Sequence, residues 1–213
     1  MKTTLSPTHH GLPINTNEER GMACQETILD KYHETLNHML EAHNKVMQVR
    51  FDLHYPQDNS IAPSNDHIHS FNYNLKRSLN REHVAGGHQT DPHLVWVREQ
   101  HDGHLPHFHH VLLVNGNAKQ HYYPLVRRAE KLWRQAIGTE QAGLVDFCDD
   151  HGANGMMIRK GSDHAQDQLE QCFYQASYLA KERGKETKGK GAWAVGGSRI
   201  PRHDQTDTVT IYP

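Results

Sequence analysis

The chain has 213 residues, a formal net charge of −2 and 20 histidines, with a mean hydropathy of −0.84. This length suits one domain with tails, and no apolar run approaches the roughly 20 residues of a membrane span. Cys24, Cys148 and Cys172 are odd in number and widely spaced, which excludes zinc-finger and dithiol motifs and fits reduced thiols.

In chain order, residues 1–24 read as a polar, flexible tail with no secretory signal core. A helix is expected from Gln25 to about Asn44, because Ile28, Leu29, Tyr32, Leu36, Met39 and Leu40 recur at three- and four-residue steps. Val46 to Tyr55 reads as a strand in which Val46, Gln48, Arg50 and Asp52 alternate with Met47, Val49, Phe51 and Leu53. After a Pro/Asn/Ser loop, Ser64 or Asn65 caps a second helix to about Arg81, with Ile68, Phe71, Leu75 and Leu79 inward. Leu94–Glu99 and His107–Val114 read as the two strands of an antiparallel hairpin. A third helix spans Tyr123–Ile137, with Pro124 in its first turn. Short strands are expected at Leu144–Phe147 and Met156–Arg159, and a last helix runs from a Ser162 or Asp163 cap to about Arg183. This order predicts an α+β fold: a central antiparallel sheet with helices packed on one face.

Side chains two apart on a strand share a face, so His107 and His109 are placed to hold one metal ion. About two His-x-His triplets are expected by chance at this composition. Two occur, His67-Ile68-His69 and His107-Phe108-His109, so the triplet alone carries no weight. His67 and His69 fall on a helix, about 200° apart, and cannot easily chelate one ion. His107 and His109 open an apolar strand, and Glu99 lies on the Val95/Val97 face of the partner strand, where it can supply a third ligand. Gln100 and His101 are weaker deputies, and His110 points to the opposite face. Imidazole suits several transition metals and carboxylate suits Mg²⁺ or Mn²⁺. The plain alternative is two half-exposed strand histidines in a histidine-rich protein.

Downstream lies Tyr174-Gln175-Ala176-Ser177-Tyr178-Leu179-Ala180-Lys181. On a helix, Tyr174, Tyr178 and Lys181 share one face. The full Tyr-x-x-x-Tyr-x-x-Lys pattern has a chance expectation of roughly 0.02 here. The shorter Tyr-x-x-Lys also occurs at Tyr73-Asn74-Leu75-Lys76 and is uninformative. Phenol is a weak nucleophile at neutral pH, and a neighbouring cation such as Lys181 eases phenolate formation. Between Lys181 and Arg202 stand Lys181, Arg183, Lys185, Lys188, Lys190, Arg199 and Arg202 against Glu182 and Glu186. That basic stretch could follow a phosphate backbone, though the overall charge is not that of a typical nucleic-acid binder.

His-hydrophobic-His on a strand, followed by Tyr-x-x-x-Tyr-x-x-Lys on a helix, resembles the HUH endonuclease superfamily. The segment from Gln48 to about Arg199 is similar to the inovirus-type rolling-circle replication initiators of filamentous phages and prophages. Trp96-Val97-Arg98-Glu99, Pro106-His107-Phe108-His109 and Ser177-Tyr178-Leu179-Ala180-Lys181 carry the likeness, and Val49–Leu53 matches the first family motif loosely. The resemblance implies an HUH/RRM-like, ferredoxin-like domain over residues 25–190, followed by a C-terminal extension at 191–213. It implies His107, His109 and Glu99 as ligands of Mg²⁺ or Mn²⁺, Tyr178 as nucleophile and Lys181 as its assistant. Tyr174 is either a second nucleophile or a packing or DNA-stacking residue. The implied activity nicks and rejoins single-stranded origin DNA through a 5′-phosphotyrosine, leaving a free 3′-OH for rolling-circle replication. The residues contain no P-loop, so a separate helicase and polymerase are expected, in the cytoplasm of a bacterial host carrying a phage, prophage or plasmid copy. A DNA-binding regulator that has lost catalysis and a histidine-rich metal store are the alternative classes.

Overall fold

The computed structural model describes residues 2–17, 19, 21–82, 86–100, 104–147, 155–182 and 195–200. The chain opens with four two-residue strands: β1 (Thr3–Thr4), β2 (Thr8–His9), β3 (Leu12–Pro13) and β4 (Cys24–Gln25). The main elements then follow in the order α1 (Glu26–Ala42), β5 (Lys45–Leu53), α2 (Asn65–Asn80), β6 (His93–Glu99), β7 (His107–Asn115), α3 (Tyr123–Ile137), β8 (Val145–Phe147), β9 (Met156–Arg159), α4 (Ala165–Ala176), a 3₁₀ turn (Ser177–Ala180) and β10 (Val195–Gly197).

One antiparallel sheet of six strands organises these elements in the order β10-β6-β7-β5-β8, with β9 also on β5. The outer edge of β5 is shared. Its first half pairs with β9 (Val46 opposite Ile158) and its second half with β8 (Asp52 opposite Asp146). The succession β5-α2-β6-β7-α3-β8 is the βαββαβ unit of ferredoxin-like folds, so the expected α+β class and antiparallel sheet are present.

The helices of that unit, α2 and α3, lie on one face. Ile68, Phe71, Leu75, Leu79, Leu125, Val126, Ala129 and Trp133 bury Met47, Val49, Phe51, Leu53, Leu94, Trp96, Leu112 and Val114. The other face is covered too: α1 and α4 pack Ile28, Leu36, Met39, Leu40 and Phe173 over Val46, Val95, Val97, Val111 and Leu113. Strands β6 and β7 are apolar on both faces, and such strands need cover on both.

Local chemistry sets the helix ends. Ser64 caps α2 by accepting a hydrogen bond from the Asp66 amide at 3.1 Å. Pro124 sits in the first turn of α3, and Gly138 ends that helix at φ 74°, a conformation that suits glycine. Inside, Trp133 is fully buried and donates its Nε1–H to the His54 carbonyl at 2.7 Å. Trp133→Phe keeps most of the volume but removes the donor to that carbonyl, so we expect it to cost about 0.5–1.5 kcal/mol, read as a lower urea midpoint with unchanged m-value.

Two expected boundaries move. Residues 1–24, read as a tail, form a strap on the domain: Leu12, Ile14, Ala23 and Cys24 are buried, β1 pairs with β4, and Cys24 bridges to Lys181. Its few apolar residues have no regular period, so it does not resemble an element in sequence. Strand β10, inside the expected extension at 191–213, adds the sheet edge next to β6, with Val195 opposite Val97. Residues 191–194 and 201–213 lie outside the described residues, as does most of the basic stretch after Lys181.

Candidate functional site

The alternation read on β6 and β7 is realised in the sheet. Glu99 pairs directly opposite His107, and Val97 opposite His109. Glu99, His107 and His109 therefore project from one face at one end of the hairpin. His109 Nε2 lies 2.8 Å from Glu99 Oε2, and His107 Nε2 lies 3.9 Å from the same oxygen. One ligand atom from each of the three residues falls within 4.8 Å of the others. With metal–ligand bonds of about 2.0–2.2 Å, neighbouring donors in one coordination sphere stand roughly 3–3.5 Å apart. The donor set therefore fits a divalent ion with little movement.

Strand β5 contributes what the hairpin lacks. Asp52 pairs opposite His109, and its Oδ2 lies 2.8 Å from His109 Nδ1. His109 is thus held between two carboxylates at only 3 % exposure. Burial opposes its charged form, but the contacts and charges of Asp52 and Glu99 outweigh that and raise its pKa. Asp52 Oδ2 stands close enough to Nδ1 that a small turn of the ring would let Nδ1–H donate to it, the second-shell contact that orients a metal-ligating histidine. His107 has the opposite bias. Burial, with the neighbouring His109, pushes its pKa down to about 4, so its imidazole is neutral near pH 7 and its lone pair is open to a ligand. His54, at the end of β5, stacks on His107 with centroids 5.4 Å apart.

The tyrosine segment closes the site from the side of α4. The expected helix to Arg183 is shorter: α4 stops at Ala176 and tightens into a 3₁₀ turn over Ser177–Ala180. Ser177 Oγ donates to the Tyr174 carbonyl at 2.7 Å and accepts from the Asn15 amide of the strap at 2.8 Å. A serine hydroxyl bonding back to a carbonyl one turn earlier competes with the regular ladder. The turn sets Tyr178 against the histidines, its ring edge-on to His109 with centroids 5.5 Å apart. Two cations flank the same ring: the Arg50 guanidinium carbon at 4.1 Å and Lys181 Nζ at 4.7 Å from its centroid. Both favour negative charge developing on the phenol. Burial lowers the Lys181 pKa, and the Arg50 charge adds to that effect.

The structure thus brings together Glu99, His107, His109, Tyr178 and Lys181. Tyr174 stands apart: it is 47 % exposed, and among the described residues its side chain makes no ring or hydrogen-bond contact with the cluster. Gln100 is exposed and accepts from Arg98 Nη2, whereas His101 lies outside the described residues. His110 faces the α2/α3 core, stacked on Phe51 and 3.2 Å from Asn72 Oδ1. Burial pushes its pKa down to about 3, as suits a neutral packing histidine.

Arg50 and Asp52 were not singled out from sequence. Their signal was present, because Gln48, Arg50 and Asp52 are three polar residues in succession on one face of an otherwise apolar strand. Gln48 on that face is buried; it accepts from the Tyr32 hydroxyl and donates to the Cys172 carbonyl at 3.1 Å, which ties β5 to α1 and α4 behind the site.

The fold and the cluster define an α+β domain with a two-histidine, one-carboxylate group able to hold a metal beside a tyrosine flanked by cations. Over residues 4–196 the chain matches the YagK/YfjJ C-terminal domain, and it belongs to that family. No curated protein and no solved structure matches it. Among the described residues no helix is long and apolar enough to cross a membrane.

Proposed function

We propose that the protein is a site-specific single-stranded DNA endonuclease and ligase of the HUH type. It would act as a replication initiator that opens and reseals origin DNA for rolling-circle replication. One observation carries this reading: the Tyr178 ring packs on His109 inside the Glu99/His107/His109 cluster, with Arg50 and Lys181 on the ring.

The chain's own residues divide the work. Arg50 and Lys181 offset the charge that gathers on the Tyr178 oxygen as its proton leaves. That oxygen attacks the phosphorus of the scissile phosphodiester. The bond to the 3′ oxygen breaks, the 3′ oxygen takes up a proton, and the 5′ side remains on Tyr178 as a phosphotyrosine ester. Resealing runs the same exchange backwards with a 3′-OH as attacking group. Glu99, His107 and His109 would hold Mg²⁺ or Mn²⁺, and such an ion supplies Lewis-acid polarisation of a phosphate oxygen. Asp52, 2.8 Å from His109 Nδ1, would favour the tautomer that presents Nε2 to the ion. Asp52→Asn is accordingly expected to weaken Mn²⁺ binding about 10–100-fold, measured by calorimetric titration.

The partner is single-stranded origin DNA, with helicase and polymerase supplied separately in the cytoplasm of a bacterial host. Incubation with Mn²⁺ and labelled single-stranded oligonucleotides tiling the origin of the replicon that encodes the protein tests this. A covalent protein–DNA adduct stable to denaturing electrophoresis is expected. Tight binding to such DNA without adduct, in Mg²⁺ or Mn²⁺, would instead identify a regulator on the same fold.

A further inference from the structure

A second group of metal-ligating side chains lies away from the tyrosine site. The strap turns sharply between β2 and β3 through His10 and Gly11, both in the left-handed region at φ 49° and 76°. Positive φ at two successive residues is the signature of a tight two-residue hairpin turn. The turn aims two consecutive histidines at helix α1. His9 Nε2 lies 2.7 Å and His10 Nε2 2.9 Å from the same oxygen, Oδ1 of Asp30. One ligand atom each from His9, His10 and Asp30 falls within 4.8 Å of the others. His33, one turn along α1 from Asp30, stacks on His10 with ring centroids 4.3 Å apart at 17°.

Two imidazoles meeting one carboxylate, with a third stacked on one of them, are an unusual use of a hairpin. The three donor atoms all lie within 4.8 Å of one another, so small shifts would let them close around one ion in place of the hydrogen bonds they now make. Imidazole-rich donor sets favour zinc and its neighbours over magnesium and calcium, which prefer oxygen. We propose that His9, His10 and Asp30 form a second metal site, of the zinc type, that clamps the N-terminal strap onto α1. His10 is exposed, so water can complete the coordination that three protein ligands leave open. The strap then runs on to the tyrosine segment, where the Asn15 amide donates to Ser177 Oγ and Cys24 bridges to Lys181. The clamp would hold the segment that buttresses the turn bearing Tyr178. The inference rests on the strap alone and does not depend on the nicking activity.

The test uses the full chain carrying His107→Ala and His109→Ala, which removes the other cluster, stripped of metal by chelation and titrated with Zn²⁺ alone. The expected result is one tightly held ion per chain, measured by calorimetry and by metal analysis after desalting, with a raised Tm. Adding His9→Ala and His10→Ala should remove both the bound ion and the Tm rise. His10 is exposed on the turn and His9 half-buried beside it, and buried Leu12 and Ile14 anchor the hairpin, so the fold is retained; Asp30→Asn, nearly isosteric, should give the same loss. A zinc stoichiometry unchanged by both sets of substitutions overturns the proposal, as does uptake spread over many weak sites with no change in Tm.

Discussion

Tyr178→Phe is expected to form no covalent adduct with DNA. Loss of the attacking group from a nucleophilic enzyme costs about 10⁴-fold or more in rate, which takes the adduct below detection. The substitution is clean because the ring does the packing. Phenylalanine keeps the edge-on contact with His109 and the two cation contacts with Arg50 and Lys181, so only the oxygen is lost. DNA binding and Tm should stay near those of the wild type. Tyr174→Phe is the matched control. Its exposed ring is outside the cluster, so the first adduct should form normally; a defect confined to a second strand transfer would mark it as a second nucleophile. An adduct formed by Tyr178→Phe at the wild-type rate would remove Tyr178 from the chemistry.

The second large effect is expected from the ligands. His107→Ala together with His109→Ala should abolish metal-dependent cleavage, since both imidazole donors of the cluster are lost. The two histidines differ in structural weight. His107 is half-buried and neutral, and its removal leaves a shallow gap beside His54. His109 bridges Asp52 and Glu99, so its removal brings two carboxylates together in a buried place without their shared partner. A loss of about 1–3 kcal/mol in stability is expected from that change, and near-UV circular dichroism should still report a folded core. The single variant His107→Ala, which leaves the acid bridge intact, should lose most of the cleavage with little loss of stability. Full metal-dependent cleavage by the double variant would contradict the assignment.

Much of this site was readable along the chain because it is built from local patterns. The hairpin β6–β7 brings Glu99 opposite His107 by simple alternation, and its strands are adjacent in sequence. Tyr178 and Lys181 are fixed by a short spacing. Arg50 and Asp52 escaped for a topological reason. They sit on β5, which follows α1 and precedes α2, yet it lies against β7 on the side away from β6. Only the crossover order β6-β7-β5 brings them to the site, and alternation within one strand does not reveal its neighbour. The second helix layer was implied by β6, where Leu94 and Trp96 alternate with Val95 and Val97, leaving no polar face. The strap was hidden because Leu12, Ile14 and Cys24 gain their burial from elements far along the chain. The end of α4 at Ala176 depends on Ser177, whose hydroxyl is committed to Tyr174 and Asn15, a contact across 162 residues of sequence.

Tyr178 is proposed as the nucleophile beside a metal that Glu99, His107 and His109 would hold. Mass spectrometry of the protease-digested adduct addresses it most directly. The expected spectrum shows a nucleotide attached through its 5′-phosphate to the peptide containing Tyr178, present with Mn²⁺ and absent after chelation. Attachment at another residue, or an adduct indifferent to chelation, would contradict the account.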